Sequence, residues 1–258
     1  MNGAGLVVSH VSRRFGGVLA LNGVSFAVRA GEIKSVIGPN GAGKSTLLNI
    51  LSGVTAPSSG TVSLDGRRIE RLPAHRRVAA GIARTFQNLQ LFSDMSVLEN
   101  VMVGAHTTQR AGFMDALCGS RKSNEDTVRA QAFALDLLAQ FGLKSRAHSP
   151  AHALSYGEAK LLEIARAMAS RPRMLLLDEP LAGLPYGSVK QVAEVVRALN
   201  RAGTSIVLVE HNVKAVMQLS DSVVVLANGE FVSEGTPDAI RSDRAVIDAY
   251  LGEPADAA

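Results

Sequence analysis

The chain has 258 residues, of which 47% are hydrophobic, 19% are charged and 4% are aromatic. This length and composition allow one large α/β domain or two small ones around a sizeable core, and they exclude broad disorder. The net charge of +4 suits a nucleotide polyphosphate, an anionic membrane surface or an ordinary solvated surface, and it is too small to indicate nucleic-acid binding by itself.

Features of targeting and of membrane insertion are missing from the sequence. Cys118 is the only cysteine, which excludes an internal disulfide and indicates a reducing compartment. The first residues show no basic region followed by an apolar run, so no signal peptide is expected. No window approaches about 18 unbroken apolar residues, the length that a membrane-spanning helix needs. We therefore expect that any role at a membrane is exerted from the cytoplasmic face through partners.

The first part of the chain predicts strands separated by glycine turns. Residues 6–29 are predicted to form strands, interrupted at Gly16 and Gly17. Residues 33–37 are predicted to be a strand that runs directly into a glycine-rich loop, and the apolar spacing of residues 46–52 predicts a helix after that loop. Residues 60–66 are predicted to be a short hairpin strand.

The glycine-rich loop matches G-x-x-x-x-G-K-[ST], the pattern of a nucleotide phosphate loop, which arises by chance in roughly one per cent of chains of this size. Its glycines permit unusual backbone angles and let amide groups approach phosphate oxygens, and the next helix adds its positive N-terminus. Lys44 is expected to reach the β and γ phosphates, and Ser45 to offer its hydroxyl to Mg²⁺. The predicted nucleotide-binding residues here are Gly38, Pro39, Asn40, Gly41, Ala42, Gly43, Lys44, Ser45 and Thr46.

The middle of the chain, residues 93–169, has a helical pattern and is predicted to be a helical insertion. Residues 128–141 carry apolar side chains at positions 128, 132, 135 and 138/139. Residues 158–169 carry apolar side chains on one face, at positions 161, 164, 165 and 168. The polar residues before the first of these stretches, 112–126, predict a mobile loop.

Strands and helices alternate again in the last third of the chain. Strands are predicted at residues 174–177, 204–209 and 223–226, and helices at residues 188–200 and 213–219. This alternation predicts a parallel sheet covered by helices.

Two acids, Asp178 and Glu179, follow a four-residue apolar run. This pattern predicts that Asp178 lies at the carboxyl end of a buried strand, where open α/β sheets bind ligands. We expect Asp178 to hold the hydration shell of Mg²⁺ and Glu179 to polarise the attacking water as a general base. The alternative is a pair of acids in a solvated turn, which the nearby phosphate loop disfavours.

Further motifs bring a family into view. Leu154-Ser-Tyr-Gly-Glu158 resembles the L-S-G-G-Q signature of ABC-transporter ATPases. Gln87 resembles the glutamine of that family's glutamine loop, His211 its switch histidine, and Phe15 the aromatic residue that stacks on adenine. Each has a simpler alternative, which is a capping box for Ser155 with Glu158, a turn residue for His211, a core residue for Phe15 and a solvated amide for Gln87.

The resemblance narrows to the larger ATP-binding subunit of branched-chain amino acid importers. The segments that carry it are residues 13–17, 81–88, 154–157 and 248–253, and the polar loop at 112–126 is similar to that group as well. Amide and urea importers share much of this pattern. A lipopolysaccharide-export ATPase shares the core, but residues 84–88 argue against it. A soluble ABC ATPase acting on DNA or ribosomes usually has two tandem units or a strong basic patch, neither of which is present in this sequence. A regulatory subunit that binds ATP with little turnover is the remaining alternative.

The resemblance implies an α/β fold of the P-loop NTPase, ABC-ATPase type, with a parallel core sheet, an N-terminal antiparallel β subdomain and a helical subdomain insertion. In this single domain, residues 1–92 and 170–235 are expected to form the nucleotide-binding core with the β subdomain. Residues 93–169 are expected to form the helical signature subdomain, and residues 236–258 a C-terminal helical tail.

The resemblance also implies the cofactors, the partners and the roles of residues. ATP and Mg²⁺ are the expected cofactors, with Ser45, Gln87 and Asp178 at the metal. Ser155 and Gly157 are expected to contact the γ-phosphate of ATP on a second ATPase subunit, self or paralogue, in a head-to-tail dimer. The other expected partners are two permease subunits and, indirectly, a periplasmic or extracellular solute-binding protein, with no nucleic acid, at the cytoplasmic face of the plasma membrane. The expected catalytic residues are Glu179, His211, Lys44 and Gln87.

Three positions depart from the family pattern. Tyr156 and Glu158 replace the second glycine and the glutamine of the signature, and Pro185 stands where Asp or Asn is usual. Because Pro185 has no N–H and no polar group, the hypothesis follows that one of two ATP sites is less active. The apolar residues 89, 91, 92, 95 and 97 are predicted to be core of the helical part, with a groove for a membrane partner as the alternative.

Overall fold

A six-stranded sheet forms the centre of the computed structural model, which describes residues 4–105 and 121–251. The strand order is β10-β9-β3-β8-β7-β6, and all neighbours are parallel except β10, which is antiparallel to β9. The strands are β3 (Ile33–Ile37), β6 (Ile82–Arg84), β7 (Met174–Asp178), β8 (Ser205–Val209), β9 (Ser222–Ala227) and β10 (Glu230–Gly235).

A second, antiparallel sheet of four strands comes from the N-terminal part of the chain, in the order β2-β1-β4-β5. Its strands are β1 (Ala4–Phe15), β2 (Val18–Arg29), β4 (Ser59–Leu64) and β5 (Arg67–Arg68). A two-residue turn at Gly16 and Gly17 joins β1 to β2, as the sequence predicts.

Helices cover both faces of the central sheet. They are α1 (Lys44–Ser52), α2 (Ala74–Ala79), α3 (Val97–Ala105), α4 (Arg121–Gln140), α5 (Tyr156–Met168), α6 (Tyr186–Arg201), α7 (Val213–Leu219), α8 (Pro237–Ser242) and α9 (Arg244–Leu251), with short 3₁₀ turns at Lys144–Arg146 and Ala151–Ala153. Because neighbouring strand residues point to opposite faces, β7 contributes Leu175 and Leu177 to the core shared with α3–α7, and Leu176 to the core shared with α1 and the antiparallel sheet.

The helical part corrects two predictions. Helix α4 begins at Arg121, so residues 121–126 of the predicted loop are helical, while residues 112–120 lie outside the described residues. The predicted apolar stripe of this helix is also out of phase, since Val128 is 64% exposed and Ala132 is exposed. The buried residues are Ala130, Ala134, Leu137, Leu138 and Phe141, of which only Leu138 belongs to the predicted stripe. The stripe on α5 is as predicted for Leu161, Ile164 and Ala165, which are buried.

The fold class predicted from the sequence is confirmed, with its parallel core sheet, its antiparallel N-terminal sheet and its inserted helices. The sequence did not predict α2, β6 or β10, and the boundaries proposed for the subdomains stay a prediction. Within residues 4–105 and 121–251, no helix combines the length and apolarity needed to cross a membrane.

Candidate nucleotide-binding site

The candidate site lies along the carboxyl edge of four neighbouring parallel strands. Strands β3, β8, β7 and β6 stand in this order, and each continues into a predicted functional segment. The phosphate loop follows β3, His211 follows β8, Asp178 ends β7 and Gln87 follows β6. Sheet order therefore brings together four segments that are far apart in the sequence, at the edge where α/β sheets bind ligands.

Close packing under the phosphate loop requires glycine at two positions. Gly38 has a φ of 151°, and a Cβ atom there would lie 2.0 Å from the carbonyl oxygen of Leu226. Gly43 has a φ of 95°, and its Cβ would lie 2.6 Å from the carbonyl oxygen of Ala20. Any side chain at these positions would displace the backbone of β9 or β2, so these glycines fix the shape of the loop.

The N-terminus of α1 is open toward the loop. Gly43 is its N-cap residue, and among the described residues no side chain caps this helix and no acid stands in its first turn. Lys44 is buried, with 8% of its surface exposed. Its ammonium group donates to the carbonyl oxygens of Gly38 and Pro39, at 2.6 and 2.7 Å. Ser45 is exposed. Uncapped amides, a helix dipole and a cation suit a polyphosphate.

Asp178 is held by an arginine that the sequence analysis missed. Asp178 is 3% exposed, and its Oδ2 accepts a hydrogen bond from a guanidinium nitrogen of Arg84 at 2.9 Å. Arg84 also donates to the Asn49 side chain, at 2.6 Å, and to the Ser52 hydroxyl, at 3.0 Å. Arg84 thus links α1, β6 and β7. In the sequence, the only indication of a role for Arg84 is its position three residues before Gln87, because Asp178 and the other partners of Arg84 are distant in sequence.

Glu179 meets two of the other predicted catalytic residues. Its Oε2 lies 3.4 Å from Gln87 Nε2 and 3.5 Å from His211 Nδ1. Its backbone has a φ of 47°, in the left-handed region that is costly for residues other than glycine. The backbone amide of Glu179 donates to the Val209 carbonyl at 2.9 Å, which fastens this turn to β8.

Glu210, a second residue that the sequence did not reveal, supports the turn after Glu179. It is fully buried, and its Oε1 accepts from the Leu181 amide at 2.8 Å. Burial raises the pKa of Glu210, while hydrogen bonds from the Leu181 and Asn212 amides act in the opposite direction. The sequence offered only its position beside His211 as a signal.

Phe15, predicted to stack on adenine, lies at the end of β1 and is 45% exposed. It is therefore not a core residue, which removes the simpler alternative. The guanidinium of Arg13 lies over its ring, 4.4 Å from the centroid. An exposed aromatic ring offers a flat face to a base.

The signature turn, residues 154–158, stands at the start of α5. Ser155 and Glu158 form the capping box that the sequence raised as an alternative, since the Ser155 amide donates to Glu158 Oε2 at 2.8 Å and the Glu158 amide donates to Ser155 Oγ at 3.3 Å. Gly157 packs so closely on α6 that a Cβ would lie 2.6 Å from the Ser188 hydroxyl. In the part of the chain that the structure describes, the hydrogen bonds of the Ser155 side chain and the close packing of Gly157 are with α5 and α6.

Of the apolar residues after Gln87, Leu91 and Phe92 line a groove, and Val97 lies in the core. Phe92 and Met95 are 46% and 39% exposed, Leu89 and Leu91 are half-buried, and only Val97 is buried. The prediction that most of them form core is therefore wrong. A groove of about 440 Å³ runs between β6, α3 and α5, and Phe86, Leu91, Phe92, Glu163 and Arg166 contribute to its lining.

The donor set fits a nucleotide with a hard cation. Ser45 and Asp178 offer oxygen ligands, which Mg²⁺ prefers, and Mg²⁺ in nucleotide sites takes only one or two carboxylates because phosphates and waters complete its shell. No cluster of three or more His, Cys, Asp or Glu that could hold a metal occurs among the described residues.

An open helix N-terminus after a glycine loop, next to carboxylates at the edge of a parallel sheet, defines a P-loop nucleotide-binding cassette. Residues 21–182 match the family described as ABC transporter, and residues 232–256 match one described as branched-chain amino acid ATP-binding cassette transporter. The chain therefore belongs to the ABC transporter family and is one of its ATPase subunits.

Individual relatives agree with this assignment. The high-affinity branched-chain amino acid transport ATP-binding protein BraF of Pseudomonas aeruginosa is 41% identical over 96% of this chain and 98% of BraF. LivG of Escherichia coli, which carries the same description, is also 41% identical over 96% of this chain and 98% of LivG. The solved ADP form of MJ1267, an ATP-binding cassette of an ABC transporter, has a TM-score of 0.85 and 30% identity over 97% of this chain and 100% of that chain.

Proposed function

We propose that this chain is the ATP-hydrolysing subunit that energises an importer of branched-chain amino acids. The observation that carries the proposal is the 41% identity to BraF and LivG over 96% of the chain, together with the match of residues 232–256. Its partners in this proposal are two permease subunits and a second ATPase subunit, a copy or a paralogue, at the cytoplasmic face of the membrane. A solute-binding protein delivers the amino acid to the permeases and has no direct contact with this chain.

Within one ATP site, each predicted residue has a distinct task. The phosphate loop and Lys44 bind the triphosphate, while Phe15 stacks on the base. Ser45, Asp178 and Gln87 hold Mg²⁺ or its waters, and the ion when bound neutralises charge on the phosphates. Glu179 accepts the proton of the attacking water as general base.

His211 completes the site from the neighbouring strand. Its Nδ1 lies 3.5 Å from Glu179 Oε2, so it can orient the carboxylate and contact the γ-phosphate. In this position the imidazole distinguishes ATP from ADP, because only ATP fills the space beside it.

A complete site requires a second ATPase subunit. Ser155 and Gly157 lie at the N-terminus of α5, where amides are oriented to bind an anion. Because their contacts in this chain are with helical elements, they act on ATP held by the partner. The result is a head-to-tail dimer with two ATP molecules between the subunits, which ATP binding closes and hydrolysis reopens.

The groove beside β6 is the proposed seat of a permease helix. Its exposed Phe86 and Phe92 are 42% and 46% accessible, which suits the apolar face of an amphipathic helix. Phe86 precedes Gln87, so an occupant of the groove lies one residue from the ATP site.

The test is to purify a tagged Glu179→Gln form of the full chain from its native membranes in the presence of ATP and to identify what accompanies it. The proposal expects two polytopic permeases and a second ATPase, followed by ATP-dependent uptake of labelled leucine. The matched control is Lys44→Ala, which should lose ATP-stabilised association with the second ATPase. Recovery of one permease type with lipopolysaccharide-export proteins, or uptake of urea or amides instead of leucine, would contradict the assigned solute while leaving the ATPase chemistry intact.

A further inference from the structure

A buried ion pair lies on α5, two and five residues beyond the signature turn. Lys160 and Glu163 are 1% and 2% exposed as residues, and Lys160 Nζ lies 3.2 Å from Glu163 Oε2. Removing two charges from water is costly, and the attraction between them offsets this cost only when further hydrogen bonds satisfy both groups. The partners of this pair therefore indicate what it does.

Those partners are the backbone of the glutamine loop, residues 84–88. The Phe86 amide donates to Glu163 Oε1 at 3.1 Å. The Lys160 ammonium donates to the carbonyl oxygens of Phe86 and Gln87, at 3.4 and 3.3 Å. The pair thus contacts three backbone groups of two consecutive residues. Because these contacts are with the backbone, they fix this stretch of chain independently of its side chains.

The held residues connect two functional regions. On one side, Gln87 Nε2 reaches Glu179 Oε2 at 3.4 Å. On the other side, Phe86 and Glu163 both line the groove between β6, α3 and α5. The pair itself belongs to the helix that begins with Ser155 and Gly157. One rigid element therefore carries the signature turn, a wall of the groove and the support of Gln87.

We propose that Lys160 and Glu163 are positioning residues for ATP hydrolysis, because they hold the backbone of Phe86 and Gln87 on α5 so that a movement of this helix displaces the Gln87 amide at Glu179. The inference rests on the proposed function and adds to it the physical link between the groove, the signature turn and the ATP site. Neither residue contacts the reacting atoms, so both act through Gln87.

The experiment replaces the pair by neutral side chains of similar size, Lys160→Met together with Glu163→Gln, in the purified full chain. Changing both residues avoids leaving one buried charge alone. ATP hydrolysis gives kcat and KM, and the same measurements are made with Gln87→Ala alone and in combination with the neutral pair. The matched control is Lys34→Met with Glu32→Gln and Glu234→Gln, a second buried lysine with the two acids that pair with it. Among the described residues this cluster shares no hydrogen bond or ion pair with Phe86 or Gln87.

The expected result is a fall of kcat by about tenfold or more with KM for ATP nearly unchanged, because a misplaced group weakens the reaction and not the binding of the triphosphate. Gln87→Ala should then add little in the background of the neutral pair, whereas it should add its full effect in the Lys34 control. Independent, additive losses of kcat for the pair and for Gln87, or an unchanged kcat, would overturn the inference.

If the neutral pair fails to unfold cooperatively on heating, Lys160→Arg takes its place in the same cycle, since it keeps the charge but moves the donors away from the two carbonyls. A wild-type chain that neither binds nor hydrolyses ATP would contradict the proposed function and the inference with it. A wild-type chain that hydrolyses ATP with additive variants contradicts the inference alone.

Discussion

Two helices of this protein present their N-termini to sites where a phosphate is expected, and they are capped in opposite ways. At α1, Gly43 is the N-cap, and in the described part of the chain neither a side-chain cap nor an acid of the first turn is present. At α5, Ser155 and Glu158 form a complete capping box. The positive end of the helix dipole is left for a ligand in the first case and is occupied by the chain's own carboxylate in the second.

This difference indicates that the two helix ends bind phosphate at different cost. Among the described residues no side chain caps the amides at α1, so this end is suited to tight binding of an anion within one subunit. At α5 the amides of Ser155 and Glu158 and the Ser155 hydroxyl already have partners, and Glu158 adds a negative charge. A γ-phosphate brought by a second subunit must displace or tolerate that carboxylate, so this end is suited to weaker, reversible contact.

The largest expected effect is on ATP hydrolysis and leaves phosphate binding at the α1 and α5 ends in place. Glu179 is the proposed general base, so we expect Glu179→Gln, which keeps the shape of the side chain, to lower kcat for ATP hydrolysis by about 10²–10⁴-fold with ATP binding preserved. Steady-state phosphate release and equilibrium binding of ATP measure the two quantities. A variant that hydrolyses ATP at the normal rate would show that the base is another residue.

The second effect acts on the α1 end alone. Lys44→Ala removes the cation that donates to Gly38 and Pro39 in this structure and that we expect to move to the phosphates. A charge-assisted hydrogen bond contributes about 1.5–3 kcal/mol, so the Kd for ATP should rise by about 10–100-fold. Calorimetric titration with ATP measures this change, with Lys34→Met as a control of another buried lysine. Equal affinities of wild type and Lys44→Ala would contradict the assignment of the loop.

The α1 end could be predicted from the sequence because its information is local. Nine consecutive residues determine the shape of the loop, and a strand and a helix on either side determine its direction. The contact of Arg84 with Asp178 is not local, since 94 residues separate them, and only the order of β6 and β7 in the sheet makes them neighbours. Glu210 was missed for the same reason, since its partner Leu181 is 29 residues away. The contacts of Lys160 and Glu163 with Phe86 and Gln87 were also missed because they span 73 to 77 residues.

The phase of α4 shows a second limit of sequence reasoning. The apolar residues of this helix permit two stripes, one through Val128 and one through Ala130 and Ala134. The stripe that is buried depends on α3 and α5, against which the helix packs. At α5, by contrast, the capping box of Ser155 and Glu158 was predicted from the sequence as an alternative, because a capping box is defined by residues three apart.

The third prediction tests the α5 end. Glu158→Gln removes the negative charge and keeps a residue that can still complete the capping box. A charge at a helix N-terminus changes the interaction by about 0.3–1 kcal/mol, so ATP-dependent association with the second ATPase subunit should strengthen by about two- to fivefold. The measurement is the ATP concentration for half-maximal dimerisation in the Glu179→Gln background, by analytical ultracentrifugation.

A matched control for this variant exists in the same chain. Ser96 and Glu99 form the same box at the start of α3, where the Ser96 amide donates to Glu99 Oε2 at 2.7 Å and the Glu99 amide donates to Ser96 Oγ at 3.2 Å. Glu99→Gln should leave the association unchanged. If both variants shift the association equally, the charge of Glu158 has no special relation to the ATP of the partner.

The smallest expected effect is the acid dependence of the same box. The Ser155 amide and hydroxyl hold the pKa of Glu158 below its ordinary value. A depressed pKa in the folded state means that the carboxylate stabilises the fold fully above its unfolded pKa, about 4.3, and that this contribution is lost as the pH falls through the folded pKa. The difference in thermal unfolding midpoint between wild type and Glu158→Gln should therefore be present at pH 6 and shrink below about pH 4. Because solvent screens this partly exposed group, the contribution should stay below about 1 kcal/mol. A midpoint difference that is constant with pH would mean that packing of the side chain, and not its charge, caps the helix, and the contrast between the ends of α1 and α5 would then lose its electrostatic basis.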